Sequence, residues 1–417
     1  MPRPAAIDAC PGILELHPAR DGHVARIRLP GGYVTRAQWT ALARLAAEFG
    51  DGRLDLTARG NVQLRGLPLT AAGALTDRAA RAGLLPSRQH DRSRNITASP
   101  LAGLGGRPPL RRLVRALDAA IVADPVLAAL PGRFLLAVDD GTGGAALAQS
   151  DIGLRRAGRE VDMVIAGRLT GVRAPFAAAV AAATTAASAA VARGVGREVT
   201  RVADLDDGGG AVAAAIGGSL GPSAAAAEGR LPLGAAAAGN AADPGRAANV
   251  GKAADPGSAP DPGSAAPAGS ATDRAFLVAA APLSRLDGAQ AALIGGLLRP
   301  GAVLRLASAG RVVIPLTVTA AAALARLAGS GLLTSDDDPL AGVTACSGLA
   351  CERAVADVRA LARPLPAHPR AHWVGCPRGC GRPPDAELIV AERPDRFLAG
   401  GRAVRWPAAG AVLAGVS

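Results

Sequence analysis

Four of the five cysteines lie close to the C-terminus, as Cys346 and Cys351, then Cys376 and Cys380. The pairs read Cys-x4-Cys and Cys-x3-Cys, with 24 residues between them. Four clustered thiolates repel one another unless a cation neutralises them, and all-sulfur sets take zinc or an iron–sulfur cluster. Structural zinc usually sits on tighter knuckles, most often Cys-x2-Cys. The wider pairs suit a 4Fe-4S cube. Gly375, Pro377, Gly379 and Gly381 supply turns that aim backbone N–H groups at sulfur. A structural zinc site and four unrelated buried thiols are the competing readings. The fifth cysteine, Cys10, reads as a partly buried thiol.

The 417 residues are enough for two or three domains, and aromatics are only 2% of them, so aliphatic side chains and alanine must fill the cores. The net charge is +12. Lys252 is the sole lysine, and Ala, Gly and Pro are abundant, a bias expected of GC-rich coding. The arginines are scattered and few aromatics exist to stack bases, so a nucleic-acid partner is not expected. Part of the charge is free to meet an anionic small molecule. No charged start followed by an apolar core opens the chain, and unpaired cysteines fit a reducing cytoplasm. The uncharged stretch 174–192 is too rich in alanine for a membrane span and reads as a helix.

Spacing predicts the elements that position the cysteines. Residues 23–85 read as β-α-β-β-α. Val24–Leu29 alternates as a strand, and Thr35 with Gln38 forms a capping box ahead of Leu42, Leu45, Ala46 and Phe49 at helical spacing. Two strands flank the Ala58-Arg59-Gly60 turn, and a second helix runs from about Ala71 to Gly83. The pattern recurs later: Phe276–Ala281 is strand-like, Asp287 with Gln290 repeats the capping box, and 304–314 lies over 54–64 with the turn glycine in register. Ile96-Thr97-Ala98-Ser99 lies over Val343-Thr344-Ala345-Cys346. Two pseudo-symmetric halves follow from this, not a short-period solenoid. The expected fold class is α+β. The expected divisions are a ferredoxin-like half-domain at 1–88, an α/β segment without cluster ligands at 89–193, a low-complexity linker at 194–272, a second ferredoxin-like half-domain at 273–335, and a 4Fe-4S-binding α/β segment at 336–417. Within the linker, 222–272 is expected to be disordered.

The halves differ in their chemistry. Ala309, Val313 and Cys346 of the second stand where the first has Arg59, Gln63 and Ser99. Arg59, Asn61 and Gln63 alternate, so a strand would point all three to one side, as a floor under a polar ligand. Arg94, Asn95 and Arg133 are further candidate anion contacts, since guanidinium pairs well with carboxylates.

The duplicated unit, the hairpin 57–63, the four cysteines and above all Gly375-Cys376-Pro377-Arg378-Gly379-Cys380-Gly381-Arg382 resemble the sulfite and nitrite reductase family. The resemblance implies two ferredoxin-like half-domains paired about a pseudo-twofold axis, with a 4Fe-4S cluster and a carboxylate-rich tetrapyrrole at the centre. It adds Arg378 to the candidate substrate contacts. The family's first cysteine pair is usually Cys-x5-Cys, one residue longer than here. Within the family the chain is most similar to the oxygen-using precorrin-3B synthase branch. Its hairpin runs Thr57-Ala58-Arg59-Gly60 where the reductases usually show Thr-x-Arg-Gln. In 130–135, Arg133 matches the first of two reductase lysines and Leu135 the second. Leu101, Ala102 and Gly103 also look like the synthase.

That resemblance implies a monooxygenase converting precorrin-3A to precorrin-3B with dioxygen, by hydroxylating a meso carbon and closing a γ-lactone. It also implies a mononuclear non-haem iron whose ligands are not assignable here. His17, His23, His90, His368 and His372 form no facial set with a carboxylate, and the substrate is an alternative holder of that iron. No dinucleotide fingerprint follows a strand, so a separate electron donor is expected, an NAD(P)H-linked reductase or a ferredoxin. The alternative is a sirohaem-dependent sulfite or nitrite reductase, and the non-enzymatic alternative is a basic protein with structural zinc.

Overall fold

The structure, a computed structural model, describes residues 10–224, 231–236, 276–362, 370–383 and 386–405. The first half opens with β1 (His17–Ala19), β2 (Gly22–Ile27), β3 (Tyr33–Thr35), α1 (Arg36–Phe49), β4 (Leu54–Leu56), β5 (Val62–Leu67) and α2 (Ala72–Arg81). It continues with β6 (Ile96–Ala98), α3 (Arg111–Ala123), β7 (Leu136–Asp139), β8 (Ile152–Ala157), β9 (Glu160–Ile165), β10 (Arg168–Pro175), α4 (Phe176–Ala192) and α5 (Gly210–Ala214). The second half repeats the order. Its ferredoxin-like part holds β11 (Gly234–Ala236), β12 (Phe276–Ala280), β13 (Arg285–Leu286), α6 (Gly288–Leu297), β14 (Val303–Leu306), β15 (Arg311–Pro315) and α7 (Ala320–Gly329). Its last part holds β16 (Val343–Ala345), α8 (Val358–Ala362), β17 (Ala371–Val374), β18 (Glu387–Arg393), β19 (Arg396–Ala399) and β20 (Arg402–Arg405).

The strands make four five-stranded sheets, and the sheets come in matching pairs. Two are β1-β2-β5-β4-β13 and β11-β12-β15-β14-β3, each completed by a strand from the other half. The other two run β6-β7-β8-β9-β10 and β16-β17-β18-β19-β20, parallel across the first two pairings and antiparallel across the last two. The fold is α+β, and the duplication read from the hairpins extends through the segments behind them.

Local chemistry explains why the copies fold alike. Thr35 and Asp287 both cap their helices in complete capping boxes. In each, the glutamine amide also donates to the end of the following helix, Gln38 to Gly83 O and Gln290 to Ser330 O, both at 3.0 Å. Gly60 and Gly310 turn their hairpins with φ of 69° and 68°. Such caps contribute about 1 kcal/mol each. More stability comes from one apolar core shared by both ferredoxin-like units, where Leu42, Leu45, Leu64, Ile294, Leu297 and Val312 are buried together. Each such side chain contributes about 1.5–3 kcal/mol. Trp39, 1% exposed, donates its indole N–H to Ala291 O at 2.7 Å across the two halves.

Two expectations change here. Residues 194–224 do not behave as linker. Val195, Val202, Val212 and Ala213 are fully buried in the core of the β6–β10 sheet, because valines punctuate the Ala/Gly run often enough to anchor it. Residues 231–236 are also ordered, with β11 pairing along β12. The rest of the expected linker, 225–230 and 237–272, lies outside the described residues. α4 is the expected alanine-rich helix. Among the described residues no helix is long and apolar enough to cross a membrane.

Candidate active site

The four cysteines sit in the two loops that follow β16 and β17. Cys346 leaves β16 with its N–H donated to Trp373 O at 2.9 Å. A short turn, Gly348–Ala350, then presents Cys351, and Gly348 adopts φ 60°, a conformation that favours glycine. Cys346, Cys351 and Cys376 all lie within electrostatic reach of the Cys380 thiol. Burial pushes the Cys346 and Cys380 thiols up from their ordinary values. The N–H groups of Gly375 and Gly348 donate to Cys346 Sγ at 3.3 and 3.4 Å and oppose that rise. Gly375 has no room for a side chain, since a Cβ there would meet Ala354 Cβ at 2.6 Å.

His372 orders the second loop. Its Nε2 donates to Cys380 O at 3.0 Å, which leaves Nδ1 to accept from Thr344 Oγ1 at 2.8 Å. Burial lowers its pKa to about 4, so the ring is neutral and structural. Among the described residues no three His, Cys, Asp or Glu side chains stand close enough to hold one metal ion. Four soft thiols, with two N–H donors on the first sulfur, fit an iron–sulfur cube.

The hairpin is more committed to the fold than its alternation suggests. Arg59 lies in the turn, not on a strand, and its Nη1 donates to Arg133 O at 3.2 Å. Burial, with repulsion from Arg201 and Arg26, brings its pKa to about 10, so it stays a cation at neutral pH. Asn61 is buried and fully engaged: Oδ1 accepts from Leu29 N at 2.9 Å and Nδ2 donates to Asn95 Oδ1 at 3.0 Å. Gln63, with its amide turned to suit its surroundings, accepts from Arg26 Nη2 at 2.7 Å and Nε at 3.2 Å. Arg94 forks onto Asp118 at 2.7 and 2.9 Å, and Asn95 Nδ2 donates to Phe134 O at 2.9 Å. Asn61 and Asn95 therefore join the hairpin to the neighbouring segment, and Arg94 is paired within that segment. Arg378 is exposed on the second cysteine loop, within electrostatic reach of His17 on β1.

The structure adds residues that spacing did not single out. Arg28 is 2% exposed, donates to Gly132 O at 3.1 Å and to Asn95 Oδ1 at 3.4 Å, and its Nε has no partner among the described residues. Burial, helped by repulsion from Arg26, lowers its pKa to about 9. Cys10 lies within electrostatic reach of Arg28 and Arg59. The alternation that marks Val24–Leu29 as a strand carried this signal, because Ala25 and Ile27 enter the core and leave Arg26 and Arg28 on the other face. Arg26 and Arg28 thus lie on this face with Arg59 in the turn beside it, and the edge of the sheet meets the first cysteine loop. There Arg65 Nη2 and the Arg20 N–H both donate to Ala350 O, at 3.0 and 3.1 Å.

The first half has a corresponding loop without sulfur. Ser99 donates its N–H to Val138 O at 3.1 Å, as Cys346 does to Trp373 O. The loop after β7 closes on the buried Asp139 carboxylate, which accepts from Ser99 Oγ and from the N–H groups of Gly141, Gly143 and Ala145 at 2.8–3.1 Å.

Comparison with known proteins agrees with the fold. Residues 17–82 match the nitrite/sulfite reductase ferredoxin-like half domain. The Synechococcus elongatus ferredoxin–nitrite reductase is 35% identical over 126 residues, covering 28% of this chain and 25% of the relative. A Sinorhizobium precorrin-3B synthase is 34% identical over 116 residues, covering 26% of this chain and 24% of the relative. These alignments span about a quarter of the length of the curated relatives. The Mycobacterium tuberculosis NirA protein structure superposes with a TM-score of 0.65 at 17% identity, over 92% of this chain and 77% of that one, which establishes the fold.

Proposed function

We propose that the chain is an iron–sulfur oxidoreductase acting on a carboxylate-rich tetrapyrrole, and specifically a precorrin-3B synthase-like monooxygenase. Cys346, Cys351, Cys376 and Cys380 would hold a 4Fe-4S cluster, which when bound supplies single electrons. Arg26, Arg28 and Arg59 give the floor three positive charges, and Arg133 and Arg378 lie at its margins. Guanidinium pairs with carboxylate by charge-assisted hydrogen bonds, and a macrocycle ringed by acetate and propionate groups needs several such partners. In the reaction one oxygen atom of dioxygen would enter a meso carbon and the other leave as water. Two electrons and two protons must then come from a separate donor, either an NAD(P)H-linked reductase or a ferredoxin.

One observation carries the choice of substrate. Leu135, 1% exposed, stands where the resemblance places a reductase's second cation, and its N–H is held by Asp151 Oδ2 at 2.7 Å. A buried leucine there leaves a small oxyanion such as nitrite one cation short. The two ferredoxin–nitrite reductases among the relatives favour the second reading, a sirohaem-dependent reductase. An absorption spectrum with a labelled-dioxygen assay separates the two. The proposal expects a broad cluster shoulder and label in the tetrapyrrole. Sirohaem bands with nitrite or sulfite reduction would overturn it.

A further inference from the structure

Arg359, in the segment between the cysteine loops, reaches both the first cluster ligand and the first half of the molecule. Its Nε donates to Cys346 O at 2.9 Å and its Nη1 to Leu283 O at 3.1 Å. Its Nη2 stands 3.8 Å from Asp55 Oδ1. Asp55 is buried on β4, the strand leading into the Arg59 turn, and receives Arg285 in a fork at 2.5 and 2.8 Å. Arg285 and Arg359 hold the Asp55 carboxyl below its ordinary pKa against the opposing effect of burial. A guanidinium stays charged at neutral pH and Asp55 is held in a fork by one, so all three groups are ionised. Two guanidiniums and one carboxylate leave one positive charge beside Cys346, in surroundings where water screens it poorly.

Among the described residues, the mirrored side of the molecule has no such bridge. Arg285 pairs with Asp55 across β13 and β4, and the equivalent positions across β3 and β14 hold Tyr33 and Arg305. There the guanidinium stacks over the tyrosine ring at 5.8 Å, with no carboxylate between them. The ion bridge is therefore found on the side that carries the cysteines.

We propose that Asp55 and Arg359 form a charge bridge from the substrate-floor hairpin to Cys346 and set the reduction potential of the iron–sulfur group. This rests on the function proposed above. An added electron makes the thiolate site more negative, so the neighbouring cation favours the reduced form and Asp55 limits that effect. Both are positioning residues that act through the Cys346 loop.

The test is a redox titration of the full chain with dithionite, followed by electron paramagnetic resonance, after iron and sulfide are quantified. Arg359→Gln should lower the midpoint potential and Asp55→Asn should raise it. Arg359→Lys should return it toward the unaltered value, because it restores the charge and not the fork. Arg326→Gln, an exposed charge on α7, should leave it unchanged. A purely structural role would not move the two potentials in opposite directions. A full cluster with unshifted potentials, or shifts of one sign, would overturn the bridge alone. No iron or sulfide in the unaltered chain would overturn the iron–sulfur reading and the bridge with it.

Discussion

Two loops occupy equivalent places behind β7 and β17 and hold themselves together by opposite means. In the first half, a buried carboxylate gathers hydrogen-bond donors: Asp139 accepts three backbone N–H groups and one hydroxyl. In the second, Cys346, Cys351 and Cys376 stand within electrostatic reach of the Cys380 thiol, and two backbone N–H groups point at the Cys346 sulfur. One loop closes on its own side chain; the other carries the proposed cluster ligands. Duplication supplied two copies of one scaffold, and the clustered cysteines lie on one side only.

The sharpest break between the loops should come from sulfur. Cys380→Ser should abolish iron and sulfide binding, because a hydroxyl is a poor ligand for a soft centre, while Ser99→Cys should create no binding in the first half. Metal and sulfide analysis of both variants checks this. The converse test falls on the self-closed loop. Asp139→Ala should cost about 3–5 kcal/mol by leaving buried donors unpaired, with iron content retained. Chemical denaturation measures the first and metal analysis the second.

Smaller effects compare the hairpins. Arg59→Ala should weaken tetrapyrrole binding by about ten- to a hundredfold, or ~1.5–3 kcal/mol, whereas Ala309→Arg should add no affinity. Titration of each variant with the cluster intact decides this, and unchanged affinity on losing Arg59 would remove it from the site. The smallest effect should be equal in the two halves. Thr35→Ala and Asp287→Ala should each cost about 1 kcal/mol in denaturation experiments, since the two capping boxes stabilise the equivalent helices α1 and α6.

Much of this contrast was legible in the residues. Capping boxes, the turn glycines and the 54–64 and 304–314 register exposed the duplication, because caps and positive φ demand particular residue types. The spacing of the cysteine pairs was plain in the sequence, and the structure brings Cys346, Cys351 and Cys376 within electrostatic reach of Cys380. The exchange of β3 and β13 was not, since two- and three-residue strands carry too little periodicity. The hairpin misled in a specific way. Asn61 and Arg94 look like ligand contacts but satisfy Leu29, Asn95 and Asp118 within the fold. Polar type shows that a side chain needs a partner, and only packing shows whether the partner is protein or ligand. Arg26 and Arg28, proposed above as floor cations, went unread because their strand was read only for its apolar face.

The most direct measurement is anaerobic purification of the full chain with iron and acid-labile sulfide quantified, alongside electron paramagnetic resonance of the reduced protein. The account predicts about four iron and four sulfide per chain, with the signal of a reduced cluster. Zinc without iron or labile sulfide would contradict it.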